Sequence, residues 1–240
     1  MGKPLISQRR GKGSPSFTAP SHRFKARVTY NSLKIRICKT DVVQGKVTDI
    51  IDDPGRTGLL FEIKTGLGVL KLPACEGIAI GDTIEIGAGA KLDIGHILPL
   101  SKIPEGYPIF NLETRAGDGG SLFRASGSCG YVVSKLGDKV QVKMPSGQMK
   151  FFDDNCIATI GCSAGGGRRQ KPILKAGNAH HAHLARGHWY PMNRGVKMSP
   201  YDHPFGGKQH HGSTTPKGVG APSGQHVGSF GAKRTGRTKR

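Results

Sequence analysis

The chain has 240 residues and a formal net charge of +20. Its charge is sorted: residues 1–36 carry nine Lys or Arg and no Asp or Glu, residues 37–160 carry 13 basic and 15 acidic residues, and residues 161–240 carry fourteen basic residues and one acid, Asp202. Cationic ends repel themselves unless a polyanion neutralises them, so nucleic acid is the expected partner. No apolar run approaches the roughly 20 residues of a membrane span, and no hydrophobic signal region is visible. We expect a soluble, intracellular protein without a membrane partner.

The first strand-like set lies in the near-neutral centre. Its runs are β-branched or alternate between apolar and polar residues, as half-buried strands do. Pro-Gly, Thr-Gly and Gly-Asp turn signals separate them. The predicted strands are Val42–Ile51, Leu59–Thr65, Gly68–Pro73 and Asp82–Gly87.

A second strand-like set follows, with turns at Leu136-Gly137-Asp138 and Pro145-Ser146-Gly147. Because closure protects the edges of short strands, two such sets of about five strands each suit two small barrels in an all-β fold. The one helical candidate, Ala176–Arg186, is broken by His and Gly, so no helix is predicted. The second-set strands are Tyr107–Thr114, Gly130–Lys135, Lys139–Met144, Met149–Phe152 and Ile157–Ile160.

The two ends are rich in Gly, Ser, Pro, His, Lys and Arg and poor in aliphatic residues. They cannot bury enough apolar surface to offset the entropy of ordering, so we expect them to be disordered alone in water. Glycines such as Gly165–Gly167 and Gly206–Gly207 let a backbone approach phosphates closely. The interleaved rings suit stacking on unpaired bases. These rings are Trp189, Tyr190, Tyr201, Phe205 and the histidines.

A zinc site is one interpretation of the cysteines and histidines, because thiolate and imidazole are zinc ligands. The five cysteines are odd in number and have no paired spacing, which favours reduced thiols in a cytosol. No CxxC pair is present, and Cys156 ends a strand pattern where a buried thiol is ordinary. We therefore predict no metal. The residues of that zinc interpretation are Cys156, Cys162, His180, His181, His183 and His188.

Enzymatic patterns are weak. His203 beside Asp202 resembles a base with its orienting carboxylate, yet adjacent residues in an extended segment rarely face one another. No GxSxG elbow or nucleophilic cysteine motif accompanies them. The segment Gly87–Lys91 lacks the Walker spacing, so nucleotide hydrolysis has no support. We predict no cofactor and no small-molecule substrate.

Seven stretches together carry a family resemblance over nearly the whole chain. In their order they resemble the universal large-subunit ribosomal protein L-two family in its archaeal form, to which the N-terminal pattern of Arg10–Gly13 and Ala19–Arg23 also belongs. The stretches are DDPGRT (52–57), GHILPLSKIPEG (95–106), GDGGSLFRASG (117–127), MPSGQMKFF (144–152), CIATIG (156–161), residues 164–212, which contain GHWYPMNRGVKMSPYDHPFGG, and AKRTGR (232–237).

The resemblance implies a basic extension over 1–36, an oligonucleotide-binding (OB-fold) barrel over 37–99, an SH3-like barrel over 100–172 and a basic extension over 173–240. In that family the segment corresponding to Arg194–Gly207 reaches towards the peptidyl-transferase region. The resemblance further implies RNA contacts there, made by Arg194, Lys197, Asp202 and His203.

Two departures from the family pattern matter. Phe205 stands where bacterial relatives usually have a second His, which puts a catalytic side chain at that position in doubt. Gln225-His226 stands where archaeal relatives usually have Arg-Lys, so the RNA contact near Val227-Gly228 should be weaker.

The expected partners are large-subunit ribosomal RNA and other ribosomal proteins, on a cytoplasmic ribosome. Two hypotheses remain: a structural RNA-binding constituent of the large subunit, or an enzyme or factor acting on nucleic acid with His203 as proton-transfer group. The structural hypothesis is favoured because metal-dependent nucleases gather several carboxylates around their metal ions. The 80 residues after Ile160 contain a single carboxylate, that of Asp202. The candidate RNA-binding residues are Arg9, Arg10, Lys12, His22, Arg23, Lys25, Arg124, Arg168, Arg169, Lys171, Lys175, Arg186, Trp189, Arg194, Lys197, Asp202, His203, Lys208, Arg234 and Arg237.

Overall fold

The computed structural model describes residues 2–30 and 42–208. The chain divides into two compact units. Met1–Pro20 and Ile173–Arg240 form one, here called the terminal unit, and Ser21–Pro172 form the other, here called the sheet unit. The candidates Arg234 and Arg237 and the departure at Gln225-His226 lie outside the described residues.

The described part of the sheet unit contains ten strands, and every predicted strand is present within it. Leu100–Lys102 and Gly166–Arg169 form short 3-10 turns, and a further one spans Ser21–Arg23. The strands are β1 (Val43–Ile51), β2 (Leu60–Thr65), β3 (Gly68–Pro73), β4 (Thr83–Ile86), β5 (Ile97–Pro99), β6 (Pro108–Phe110), β7 (Gly130–Leu136), β8 (Lys139–Lys143), β9 (Met149–Asp153) and β10 (Ile157–Ile160).

Two strands differ from the sequence expectation. β5 was not predicted, because three residues are too few to show a period of two. β6 ends at Phe110 rather than continuing to Thr114, since Asn111 takes the left-handed conformation with φ of 49°.

The strands form one hydrogen-bonded ladder in the order β3-β2-β1-β4-β5-β10-β6-β7-β8-β9. Neighbours are antiparallel, apart from the parallel pair β4 and β5. A bulge between Val47 and Asp49 shifts the register of β1 against β2. Within the described residues no pairing joins β3 to β9, so the ladder is not closed. The predicted all-β class is confirmed as a fold that is mostly sheet with few helices.

The core of the sheet unit is built from the inward residues of these strands. It includes fully buried Phe110, Leu60, Ile63, Ile97 and Leu112. Burying such side chains stabilises a domain by about 1.5–3 kcal/mol each.

Part of the predicted N-terminal extension belongs to this core. Val28 and Tyr30 are buried. The Tyr30 hydroxyl donates to the carbonyl of Asn111 at 2.9 Å and lies 2.8 Å from Thr159 Oγ1. Residues 21–30 are therefore anchored in the sheet unit, against the expectation that the whole extension is disordered when alone.

Among its described residues, the terminal unit holds two helices, α1 (Ile6–Gly11) and α2 (Ala176–Leu184), with 3-10 turns at Pro15–Phe17 and Gly195–Lys197. The expectation of no helix is thus wrong at both α1 and α2. This helix stops because Gly187 turns left-handed, at φ 65°, and its amide donates to Leu184 O at 3.1 Å. No helix among the described residues is long and apolar enough to cross a membrane.

Candidate nucleic-acid interface

The candidate residues divide between the two units. In the sheet unit lie His22, Arg23, Lys25, Arg124, Arg168, Arg169 and Lys171. In the terminal unit lie Arg9, Arg10, Lys12, Lys175, Arg186, Trp189, Arg194, Lys197, Asp202, His203 and Lys208. All of them are exposed or partly exposed, as an RNA interface requires.

Residues 194–207 form a closed loop rather than an extended strand. The amide of Lys197 donates to Arg194 O at 3.0 Å, and the amide of Gly207 donates back to Met198 O at 3.2 Å. Gly206 allows this closure: a Cβ there would lie 2.3 Å from the carbonyl oxygen of Ser199. The glycine permits a close approach within the loop itself, which holds the loop in one shape.

The carboxylate of Asp202 is engaged inside the terminal unit. Its Oδ1 accepts from Lys3 Nζ at 2.9 Å, and its Oδ2 accepts from Ser199 Oγ at 3.1 Å. These hydrogen bonds, with Lys3 first, lower the pKa of Asp202 below its usual value. The neighbouring backbone adds a bond from the Lys3 amide to Tyr201 O at 2.9 Å. Asp202 thus ties the N-terminal segment to the loop.

His203 is oriented by its own loop. Its Nδ1 accepts from the amide of Phe205 at 3.0 Å, which places the proton of a neutral ring on Nε2. The ring lies over Gly195, where a Cβ would come within 2.4 Å of it, and 5.0 Å from the Phe205 ring. Since both Asp202 oxygens bind other groups, the adjacent pair does not form a base with an orienting carboxylate.

Trp189 is part of a ring stack. Its ring lies 5.8 Å from that of Phe17 at an interplanar angle of 28°. The guanidinium of Arg9 lies 5.7 Å from the indole centre, a cation–π distance. Arg9 and Trp189 are 180 positions apart, so sequence patterns carried no signal that these two candidates meet.

A second ring cluster follows α2. His183 stacks on Tyr190 with centroids 5.0 Å apart and an interplanar angle of 13°, and His188 lies 6.0 Å from His183. Within the described residues no cluster of three or more His, Cys, Asp or Glu has the geometry for a metal ion. Cys156, another residue of the zinc interpretation, is fully buried, and burial raises the pKa of its thiol to about 11.

The arginines of the sheet unit play different parts. Arg168 donates through Nε to Ser126 Oγ at 3.0 Å, in a turn where Gly166 packs against Gly127 so closely that a Cβ on Gly127 would lie 2.3 Å away. Arg124 donates to the carbonyls of Gly120, at 3.0 Å, and Val28. Burial lowers the pKa of Arg124. Arg124 therefore holds backbone, whereas Arg168, Arg169 and Lys171 remain exposed.

The structure defines a class of protein that combines a β-sheet unit with a basic terminal unit carrying aromatic rings. Residues 93–224 match the family described as Ribosomal Proteins L2, C-terminal domain. The chain belongs to the ribosomal protein L2 family, because relatives also match along its full length. It is 46% identical over 242 residues to "Large ribosomal subunit protein uL2" of Methanosphaera stadtmanae and 45% identical to that of Methanothermobacter thermautotrophicus, covering 100% of each chain.

The protein of the same name from Halorubrum lacusprofundi is 45% identical over 240 residues, which cover 99% of this chain and 98% of that protein. These relatives are archaeal, so the resemblance inferred from the sequence is confirmed, including its archaeal form.

Proposed function

We propose that this protein is a structural constituent of the large ribosomal subunit that binds large-subunit rRNA. The observation that carries the proposal is the charge of the terminal unit: fifteen Lys or Arg stand against one acid. That acid, Asp202, is already paired with Lys3. The unit therefore presents a strong positive field to a polyanion.

The terminal unit combines the two means by which proteins hold irregular RNA. Exposed cations such as Lys197 and Lys208 neutralise phosphates, and exposed rings such as Tyr201 stack on unpaired bases. The closed loop of residues 194–207 enters the RNA with its shape already set, which lowers the entropy cost of binding. We place this loop near the peptidyl-transferase centre, where it organises RNA and supports assembly, subunit association and translation on a cytoplasmic ribosome.

The role is non-enzymatic in this proposal. Proton transfer by His203 would be helped by a carboxylate that orients the ring, but its Nδ1 is occupied by a backbone amide and Asp202 binds Lys3 and Ser199. Binding and positioning account for each contact that these residues make.

The sheet unit serves as the platform, with an OB-fold barrel over 37–99 and an SH3-like barrel over 100–172. Supporting this division, β3-β2-β1-β4 adjoin at one side of the ladder and β10-β6-β7-β8-β9 at the other. β5 joins the two groups through β4 and β10.

Binding of the full chain to a large-subunit rRNA fragment, titrated over a range of salt, tests the proposal. Affinity should fall steeply as salt rises, since bound cations release counterions. Lys197→Gln should make the salt slope shallower by about one. The matched control Lys64→Gln, on the sheet, should leave the slope unchanged. A flat salt response would contradict the proposal.

The location of the loop needs a separate measurement. A density map of the assembled large subunit should place residues 194–207 inside the RNA near the peptidyl-transferase centre. A loop on the outer surface of the particle would contradict that part of the proposal.

A further inference from the structure

A cavity of about 300 Å³ lies within the terminal unit, beside the C-terminal end of α2. This volume is at the lower end of the roughly 300–1,000 Å³ of small-ligand pockets, so it suits one nucleotide and not a duplex. The residues around it come from both ends of the chain. They are Arg10, Phe17, His183, Arg186, Gly187, His188 and Met192.

Planar rings supply the wall of this cavity. Phe17 is backed by Trp189 at 5.8 Å, and His183 is backed by Tyr190 at 5.0 Å. Rings supported from behind are pre-organised, so a base that stacks on them loses little additional freedom of the protein. The wall is therefore a stacking surface held in place before any ligand arrives.

Two arginines stand at the same cavity. Arg10 is steered by a contact from its Nη2 to Met192 Sδ at 3.8 Å. Among the described residues, the guanidinium of Arg186 has no hydrogen-bond or ion-pair partner, and its side chain is exposed. None of the described residues that line the cavity carries a carboxylate. The cavity thus combines an aromatic wall with two cationic side chains. This combination fits a nucleotide whose base stacks on the rings and whose flanking phosphates meet the arginines.

The close packing of the backbone fixes this arrangement. Gly187 is buried, and a Cβ there would lie 2.5 Å from the carbonyl carbon of Thr18. The chain after α2 and the segment that carries Phe17 therefore meet directly. The cavity exists because these two segments, remote in sequence, are in contact.

We propose that this cavity receives a single extrahelical RNA base, stacked against the ring wall, with Arg10 and Arg186 on the flanking phosphates. The inference rests on the proposed function and sharpens it: the terminal unit reads the presence of an unpaired nucleotide in addition to binding phosphates. Duplex RNA alone offers the cavity no base to accept.

Three RNA hairpins test this with the full chain. One carries a single bulged adenosine, one carries an abasic residue at the bulge, and one is fully paired. The bulged hairpin should bind about tenfold more tightly than the other two, within the range of one base–aromatic stack. With 2-aminopurine as the bulged base, stacking in the cavity should quench its fluorescence on binding.

A matched pair of variants locates the effect. Met192→Glu places a carboxylate at the cavity next to Arg10, at a side chain that is 44% exposed and tolerates charge. It should remove the preference for the bulged hairpin. Leu174→Glu makes the same charge change at a side chain that is 87% exposed and outside the cavity. It should weaken all three hairpins alike and keep the preference.

The outcomes separate this inference from the proposed function. Equal affinities for the three hairpins, with steep salt dependence, would overturn the inference that the cavity binds a base and would leave the proposed rRNA binding in place. A preference that survives Met192→Glu would also overturn it, since the base would then be held elsewhere. Failure to bind any of the hairpins or the rRNA fragment would overturn both.

Discussion

The sheet unit and the terminal unit are each stabilised internally by a different kind of interaction. The sheet unit buries a continuous apolar core from β1 to β10, with side chains such as Leu60, Phe110 and Val142 fully covered. In the terminal unit, Gly187 is the only buried residue among those that the structure describes. One unit is stabilised by its own core, whereas the other depends on hydrogen bonds and ring contacts.

Acidic residues show the same contrast. In the sheet unit, the fully buried carboxylate of Glu113 accepts from the amides of Gly117 at 3.1 Å, Gly119 at 2.7 Å and Ile157 at 3.1 Å. In the terminal unit, Asp202 is 44% exposed and tied by a flexible lysine. A buried carboxylate that accepts three backbone hydrogen bonds is an integral part of the fold. An exposed ion pair contributes little to stability.

The largest expected effect is loss of the sheet core. Phe110→Ala should lower the free energy of unfolding by about 3–5 kcal/mol, because the side chain is fully buried and leaves a cavity. Phe17→Ala, in the terminal unit, should change unfolding of the sheet unit by less than about 1 kcal/mol. Urea denaturation measures both. Equal losses would remove the contrast between the units.

A smaller effect is expected at Tyr30, which links residues 21–30 to the sheet. Tyr30→Phe removes the bonds to Asn111 and Thr159 and should cost about 1–2 kcal/mol. Tyr107→Phe, at an exposed ring, is the control and should cost almost nothing. If Tyr30→Phe were also without effect, the anchoring of this segment would be wrong.

Tyr30 also predicts a pH dependence. Burial raises the pKa of its phenol above the usual 10.0, so the folded state holds the proton more tightly than the unfolded state. The stability from the neutral phenol is complete below pH 10 and is lost as the pH rises further. Denaturation from pH 8 upward should show a shallower alkaline loss in Tyr30→Phe than in the parent chain.

A modest effect is expected at the tie between Lys3 and Asp202. Asp202→Asn should accelerate hydrogen exchange of the Lys3 amide by a few-fold, as for an exposed ion pair. Ser199→Ala removes only one of the two bonds to Asp202 and should have less effect. Because the pKa of Asp202 is lowered from 3.8, its contribution is present above that pH and is lost as the pH falls further. Unchanged exchange in Asp202→Asn would contradict the tie.

The smallest effect is expected on chemistry at His203. In assembled subunits, His203→Gln should reduce single-turnover peptide-bond formation by less than tenfold, because the amide oxygen of Gln can accept the bond from the Phe205 amide. A general acid or base would contribute roughly 10²–10⁴-fold. A thousandfold loss with normal assembly would therefore reject the structural role.

Local patterns predicted most of the sheet. Strands such as Gly68–Pro73 and Ile157–Ile160 lie where alternation and turn residues indicated, because the period of two and the turn chemistry are local properties. β5 has too few residues for a period, and the left-handed Asn111 that ends β6 gives no local warning. Helix α2 coincides with the candidate Ala176–Arg186, which was not predicted as a helix because its glycine and histidines have lower helix propensity than Ala or Leu.

The sequence by itself determined the charge sorting, the all-β class and the family, since these depend on composition and on residues close together along the chain. Only the tertiary structure decided that Asp202 binds Lys3, that Tyr30 enters the sheet core beside Thr159, and that a cavity opens where Gly187 meets Thr18. These contacts join residues more than a hundred positions apart. No short-range pattern encodes such pairs, because they form only when the packing of the whole unit brings the segments together.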